Sequence, residues 1–203
     1  MTKLKIITVP NSILRQKSKP ARKIDKKIKK LAEEMINLIK NGQARLLLES
    51  ERPRSQRPDG QGDERIGVGL SAVQIGKPVQ LFVTYNPETK KDLVFVNPKI
   101  IWKSKEKTDG IPNKKFKYEG CLSIPGIFGL VKRHQAIKVC WLALNAKKHT
   151  KKFSGFLATI IQHEIDHLNG ILFTDCVLKQ KGKIYKLVKN KEGQEQLAEI
   201  KLL

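Results

Sequence analysis

The chain has 203 residues, enough for one domain around one continuous core and too few for a second independent one. Forty-one Lys and Arg against nineteen Asp and Glu give a formal net charge of +22, but scattered lysines without a recognition helix, an aromatic stacking platform or zinc-finger spacing exclude a sequence-specific DNA reader and leave open salt-sensitive residence on a polyanion such as the ribosome. The three cysteines, Cys121, Cys140 and Cys176, are odd in number and lack a CxxC pair, and no apolar run approaches a membrane span, so the reading is a soluble, unexported protein of a reducing compartment.

Residues 24–41 place Ile24, Ile28, Leu31, Met35, Leu38 and Ile39 at helical spacing among lysines and glutamates. This predicts an amphipathic N-terminal helix that stops at Asn41-Gly42. Between 42 and 66, five arginines and five acids lie among Pro, Gly, Gln and Ser, a locally neutral insertion read as a long flexible connection. It leads into Gly67-Val68-Gly69-Leu70-Ser71-Ala72-Val73-Gln74. That run lacks the third glycine and the βαβ setting of a dinucleotide loop. It better suits a place where a substrate backbone lies against the protein backbone, with the Gln74 amide as a donor.

Strand signals follow at Val79–Thr84 and Leu93–Asn97, with Asn97-Pro98 interrupting the second before Ile100-Ile101-Trp102. After a lysine-rich connection at 103–117, residues 136–144 alternate apolar and polar, residues 145–150 read as a turn, and a short return strand is predicted near Lys152-Phe153. Gly155 opens a helix that ends at Asn169-Gly170. Beyond it the tail, 179–203, reads as hairpin-like. A helix, then mostly strands, then a central helix predicts an α+β fold, with mixed or antiparallel sheets surrounding that central helix.

The central helix carries Gln162-His163-Glu164-Ile165-Asp166-His167. Two imidazoles four residues apart share one helical face and can share a metal ion, and Glu164 beside them can serve as an acid and base. A catalytic metal site needs a third protein ligand. Asp175 is the only acid within twenty residues downstream, yet nothing in its spacing aims it at the helix. Cys121, in Glu119-Gly120-Cys121-Leu122-Ser123, is the better candidate, because Gly120 allows the backbone to approach closely. Cys140 and Cys176 lie in strand-like apolar sequence and read as structural.

GVGLSAVQ, EGCLS and QHEIDHLNG, in this order and separation, resemble the three signature segments of peptide deformylases. Ile13-Leu14-Arg15, Val131-Lys132-Arg133 and Ile171-Leu172-Phe173 extend the likeness across most of residues 5–178. The resemblance implies a metal-dependent hydrolase that removes the N-formyl group from the initiator methionine of nascent proteins and releases formate. It assigns Cys121, His163 and His167 as metal ligands and Glu164 as the general acid/base. Gln74 and the Leu122 backbone N–H become oxyanion donors, Val68 and Gly69 pair with the substrate backbone, Gln162 has a supporting role, and Arg133 pairs with Glu119 or Asp166. The cofactor implied is one divalent ion, Fe(II) natively, with Zn(II), Ni(II) or Co(II) able to occupy the site.

The implied partners are N-formylmethionyl nascent peptides and, transiently, the ribosome. No specific DNA and no membrane is implied, and the expected state is a monomeric single domain over 1–203 in the cytoplasm or an organellar matrix. Three features depart from the family pattern: Ser71 stands where alanine is usual and adds a hydroxyl near the substrate, the 42–66 insertion is long, and the tail lacks the long C-terminal helix of some relatives. Two rivals share part of the signal. A metallopeptidase would want an acidic or third histidine ligand, and a non-catalytic basic ribosome- or RNA-associated protein with a structural metal would want four protein ligands.

Overall fold

The structure is a computed structural model that describes residues 4–40, 69–86, 88–112 and 116–200. The predicted connection at 42–66 and Val68 lie outside them. The first helix, α1, spans Lys26–Lys40 and buries Ala32, Met35, Leu38 and Ile39. It starts two residues later than the apolar spacing predicts because the Asp25 side chain caps it, accepting from Lys27 N at 2.9 Å and Ile28 N at 3.0 Å. At its other end Lys40 is ion-paired to Asp92 at 2.5 Å.

Among the described residues nine strands form two antiparallel sheets. The first has the order β1 (Gly69–Ser71), β2 (Leu81–Asn86), β3 (Lys91–Lys103), β6 (Ala136–Leu142), β7 (Lys148–Ser154). The second has the order β4 (Glu119–Cys121), β5 (Ile124–Gly129), β8 (Ile184–Lys189), β9 (Glu195–Ile200). Two further helices are α2, Gly155–Leu168, and α3, Phe173–Lys179. The fold is α+β.

Packing on the larger sheet follows the two-residue period of a strand. Leu81 and Val83 of β2 join Val96 and α1 on one face, while Phe82 joins Phe95, Ile137, Val139 and Phe153 against Ala158, Ile161 and Leu168 of α2 on the other. Every residue of β2 is buried as a result. Phe82 and Phe95 stack at 4.5 Å between ring centroids. A third cluster, with Leu14, Ile124, Val131, Phe173, Val177 and Ile184, joins the smaller sheet to α3.

Three local expectations are corrected. Asn97-Pro98 does not end a strand: β3 runs through it, with a register shift between Val96 and Lys99, and proline costs no ladder bond at such a bulge. Asn97 adopts φ 50° there and exchanges side-chain bonds with the backbone of Ala21, at 2.8 and 2.9 Å. Lys148–Thr150, read as turn, already belongs to β7, because pairing with β6 along its whole length outweighs a polar composition in which only Phe153 is buried. Cys176 sits on a helix, α3, whose first turn is capped by the Asp175 side chain accepting from Leu172 N at 2.8 Å.

The N-terminal segment ties the parts together. Ile7 N donates to Gln74 O at 2.8 Å, Val9 N to Ser123 O at 2.9 Å and Ser18 N to Leu168 O at 2.8 Å.

Candidate metal centre

Helix α2 turns its His163 and His167 rings to one side, with ring centroids 4.9 Å apart. The tight β4–β5 turn carries Cys121 to meet them. Its Sγ lies 3.1 Å from His167 Nε2, and the three prospective ligand atoms are all within 4.8 Å of one another. A tetrahedral ion with metal–sulfur near ~2.3 Å and metal–nitrogen near ~2.0–2.1 Å keeps its ligand atoms about 3.3–3.6 Å apart, so small side-chain rotations close the trio around one ion. Gly170 ends the helix from one side. Its φ is 73°, and a Cβ there would stand 2.3 Å from the Arg15 carbonyl oxygen.

A chain of buried charges orients the first ligand. His163 Nδ1 lies 3.0 Å from Glu119 Oε2, and Arg133 grips both Glu119 oxygens, with Nε to Oε1 at 2.5 Å and Nη2 to Oε2 at 2.9 Å. Arg133 Nη1 reaches Asp166 Oδ2 at 2.8 Å, so this arginine pairs with one acid from each of the two signature segments. Burial alone would raise the Glu119 carboxyl, but Arg133 and His163 overcome it and hold it at about 2. With Nδ1–H donated to Glu119, the Nε2 of His163 is left to bind an ion. Burial opposes charge on His163, yet Cys121 and Glu119 outweigh it and raise the imidazole well above its ordinary range, so an ion entering there displaces a proton.

His167 has the opposite character. Burial, and then the neighbouring His163, lower it well below the ordinary range, which leaves the neutral ring a metal needs. Its Nδ1 meets no partner among the described residues, so packing and whatever Nε2 binds hold the ring. One thiolate and two imidazoles suit a borderline divalent ion such as Fe(II) or Zn(II). Asp175, the alternative ligand, is engaged elsewhere in a bidentate pair with Arg15.

Glu164 is 3% exposed, and burial pushes its carboxyl up against the opposing pull of His163 and Ser71. The Ser71 hydroxyl is fully buried and lies 2.7 Å from Glu164 Oε2 and 3.0 Å from Glu164 O. The hydroxyl expected near the substrate is therefore turned onto the acid. Gly69 leaves room for the other oxygen, since a Cβ there would stand 2.3 Å from Glu164 Oε1. Strand β1 is the edge of its sheet, with Gly69 opposite Thr84 of β2 on one side only among the described residues.

Gln74 lies in a 3-10 turn, Ala72–Ile75, and is 2% exposed. Its Oε1 accepts from Ser71 N at 2.8 Å, which fixes the amide so that Nε2 faces the centre, 3.2 Å from Ser123 Oγ and 3.5 Å from Cys121 Sγ. Leu122 follows the ligand at the tip of the β4–β5 turn. Gln162 braces the helix from behind, accepting from His134 N at 3.1 Å and donating to His134 O at 2.9 Å. The structure thus gathers Gly69, Gln74, Cys121, Leu122, His163, Glu164 and His167, while Val68 lies outside the described residues. Ser123 escaped the sequence reading although it stands inside EGCLS, because a serine beside a leucine gives no sign of facing inward.

The family model for polypeptide deformylase matches residues 3–183. The chain belongs to the peptide deformylase family. It is 36% identical to the peptide deformylase of Rhizobium meliloti over 184 residues, 89% of this chain and 88% of that one. The Borreliella burgdorferi peptide deformylase is 37% identical over 191 residues, 94% of this chain and 98% of that one. Among solved structures, the peptide deformylase of Thermotoga maritima aligns with a TM-score of 0.65 at 27% identity, covering 87% of this chain and 98% of that one. A plant peptide deformylase aligns with a TM-score of 0.69 at 33% identity, covering 89% and 83%. As a deformylase the protein is a metal-dependent hydrolase that removes the N-formyl group from nascent peptides, with a Cys-His-His group able to hold the ion. No helix among the described residues is long and apolar enough to cross a membrane.

Proposed function

We propose that the deformylase holds Fe(II) on Cys121, His163 and His167, uses Glu164 as general acid/base, and stabilises the oxyanion with Gln74 Nε2 and the Leu122 N–H. An ion bound there supplies Lewis acidity, polarising the formyl carbonyl and lowering the pKa of attacking water. Glu164 takes the proton from the attacking water and returns it to the leaving amine, yielding formate and a free methionine N-terminus. Burial, which raises its carboxyl, suits it to carrying that proton between the two steps. Preorganised donors of the Gln74 and Leu122 kind are each worth roughly 3 kcal/mol in other enzymes. Gly69, with Val68 before it in sequence, offers the substrate backbone the strand edge that no described residue pairs with.

One observation carries this reading. The Ser71 N–H fixes the Gln74 amide with its donor toward Cys121, and the Ser71 hydroxyl holds Glu164 on the same centre, so donor and acid are set by one residue. The test is formate release from a formyl-Met-Ala peptide, anaerobically with Fe(II) or in air with Ni(II). Glu164→Ala should abolish turnover while the metal stays bound, and retained turnover would sink the mechanism. Metal analysis of anaerobically purified protein checks the ion, with Zn(II), Ni(II) and Co(II) as possible occupants in preparations. The enzyme acts as a monomeric, single-domain protein in the cytoplasm and visits the ribosome transiently; sedimentation, alone and with ribosomes across a salt series, tests both.

A further inference from the structure

The deformylase centre gives no role to the +22 charge, and one share of it lies on the larger sheet with no acid in the same stretches to balance it. Residues 136–154, covering β6, β7 and their turn, carry five lysines and no acid, and residues 97–105 of β3 and its end add three lysines and no acid. Strand register decides which of these share a face. Trp102 is opposite Lys138 and Lys138 is opposite Lys152, so the three form one row across β3, β6 and β7. Two residues along, Lys99, Cys140 and Thr150 make the next row on that face, and Leu142 with Lys148 the one after.

Helix α1 covers the far end of this face, over Leu81, Val83 and Leu142. The remainder has no cover among the described residues. Trp102 is 46% exposed and its neighbour Ile101 49%, and both line a shallow depression with Lys138 and Lys152. The Lys152 ammonium lies 5.2 Å from the centroid of the Trp102 ring. An exposed indole in a field of lysines combines a stacking surface with a complement for phosphate.

We propose that this face binds a single-stranded RNA segment, with a base stacked on Trp102 and phosphates paired to Lys99, Lys138, Lys148 and Lys152. A concave basic surface around a flat ring fits a nucleotide chain better than a bilayer, which would take apolar side chains standing clear of the surface. The inference deepens the proposed ribosome residence and rests on it only for which RNA is met in the cell.

The metal-loaded, full-length enzyme is titrated with a labelled 12-nucleotide oligouridylate, following anisotropy of the label and tryptophan fluorescence. Four phosphate contacts on a single strand predict a log–log salt slope of about −3. Trp102→Ala should weaken binding about tenfold to a hundredfold. Trp102→Phe should keep most of the affinity and lose the quenching. Replacing Lys99, Lys138, Lys148 and Lys152 by Gln should flatten the salt slope, while the same change at Lys26, Lys27, Lys29 and Lys30 of α1 should leave affinity within threefold. All variants should retain wild-type formate release from a short formyl peptide, which reports folding. Equal loss from the two lysine sets, or unchanged binding in Trp102→Ala, would overturn the proposal; so would failure to bind RNA while phosphatidylglycerol vesicles are bound. Oligonucleotide binding without ribosome co-sedimentation retires the ribosome reading and leaves the face, whereas oligonucleotide binding that survives the four-lysine variant at β3, β6 and β7 retires the face.

Discussion

Gly69→Ala should damage catalysis far more than stability. The added methyl would lie 2.3 Å from Glu164 Oε1, 2.9 Å from Glu164 Cδ and 3.0 Å from Ile160 Cγ2. Ordinary contacts begin near 3.4 Å, so the carboxylate must retreat by about 1 Å, and a misplacement of that size costs on the order of 100-fold in rate. That corresponds to about 2.7 kcal/mol of transition-state stabilisation. The retreating group is the end of a side chain, so the fold should lose only about 1 kcal/mol, a fall in Tm of roughly 2–4 °C. Formate release, metal content and thermal unfolding of one preparation separate the effects. Activity within threefold of wild type, or a loss matched by unfolding at the assay temperature, would refute the packing of Gly69 against the acid.

Ser71→Ala removes a buried hydrogen bond to a carboxylate, worth about 1.5–3 kcal/mol; kcat should fall about tenfold with KM unchanged, and a wild-type kcat would show the hydroxyl idle. Arg133→Gln strands Glu119 and Asp166, so unfolding should show a loss of about 3–5 kcal/mol and competition with a chelator a 10- to 100-fold weaker hold on the ion. Acid should weaken the protein through Glu119. Because its folded pKa is about 2 against an ordinary 4.5, the unfolded chain binds more protons between those values. The contribution, ~3 kcal/mol, is complete above about pH 4.5 and lost as pH falls toward 2. Denaturant titrations from pH 6 to 2 should show that loss in wild type and not in Glu119→Gln.

The metal helix was legible because its information is local: a spacing of four puts His163 and His167 on one face, and Gly155 and Gly170 mark its ends. Cys121 was legible as a ligand type, but its approach depends on a hairpin turn of β4 and β5 that a three-residue first strand does not announce. Asn97-Pro98 misled because the rule for proline describes the ladder and not a bulge that excuses it. Lys148–Thr150 misled because a strand with one buried residue takes its order from its neighbour. The direction of the Ser71 hydroxyl could not be read at all, since it depends on an acid 93 positions away.

The N-terminal brace is made of backbone groups alone, joining Ile7, Val9 and Ser18 to the carbonyls of Gln74, Ser123 and Leu168. Side-chain replacement at Ile7, Val9 or Ser18 leaves the N–H donors in place, so one strap spans all three signature segments. Only proline, which lacks the N–H, cuts a tie. One short segment thus clamps three stretches that lie far apart along the chain.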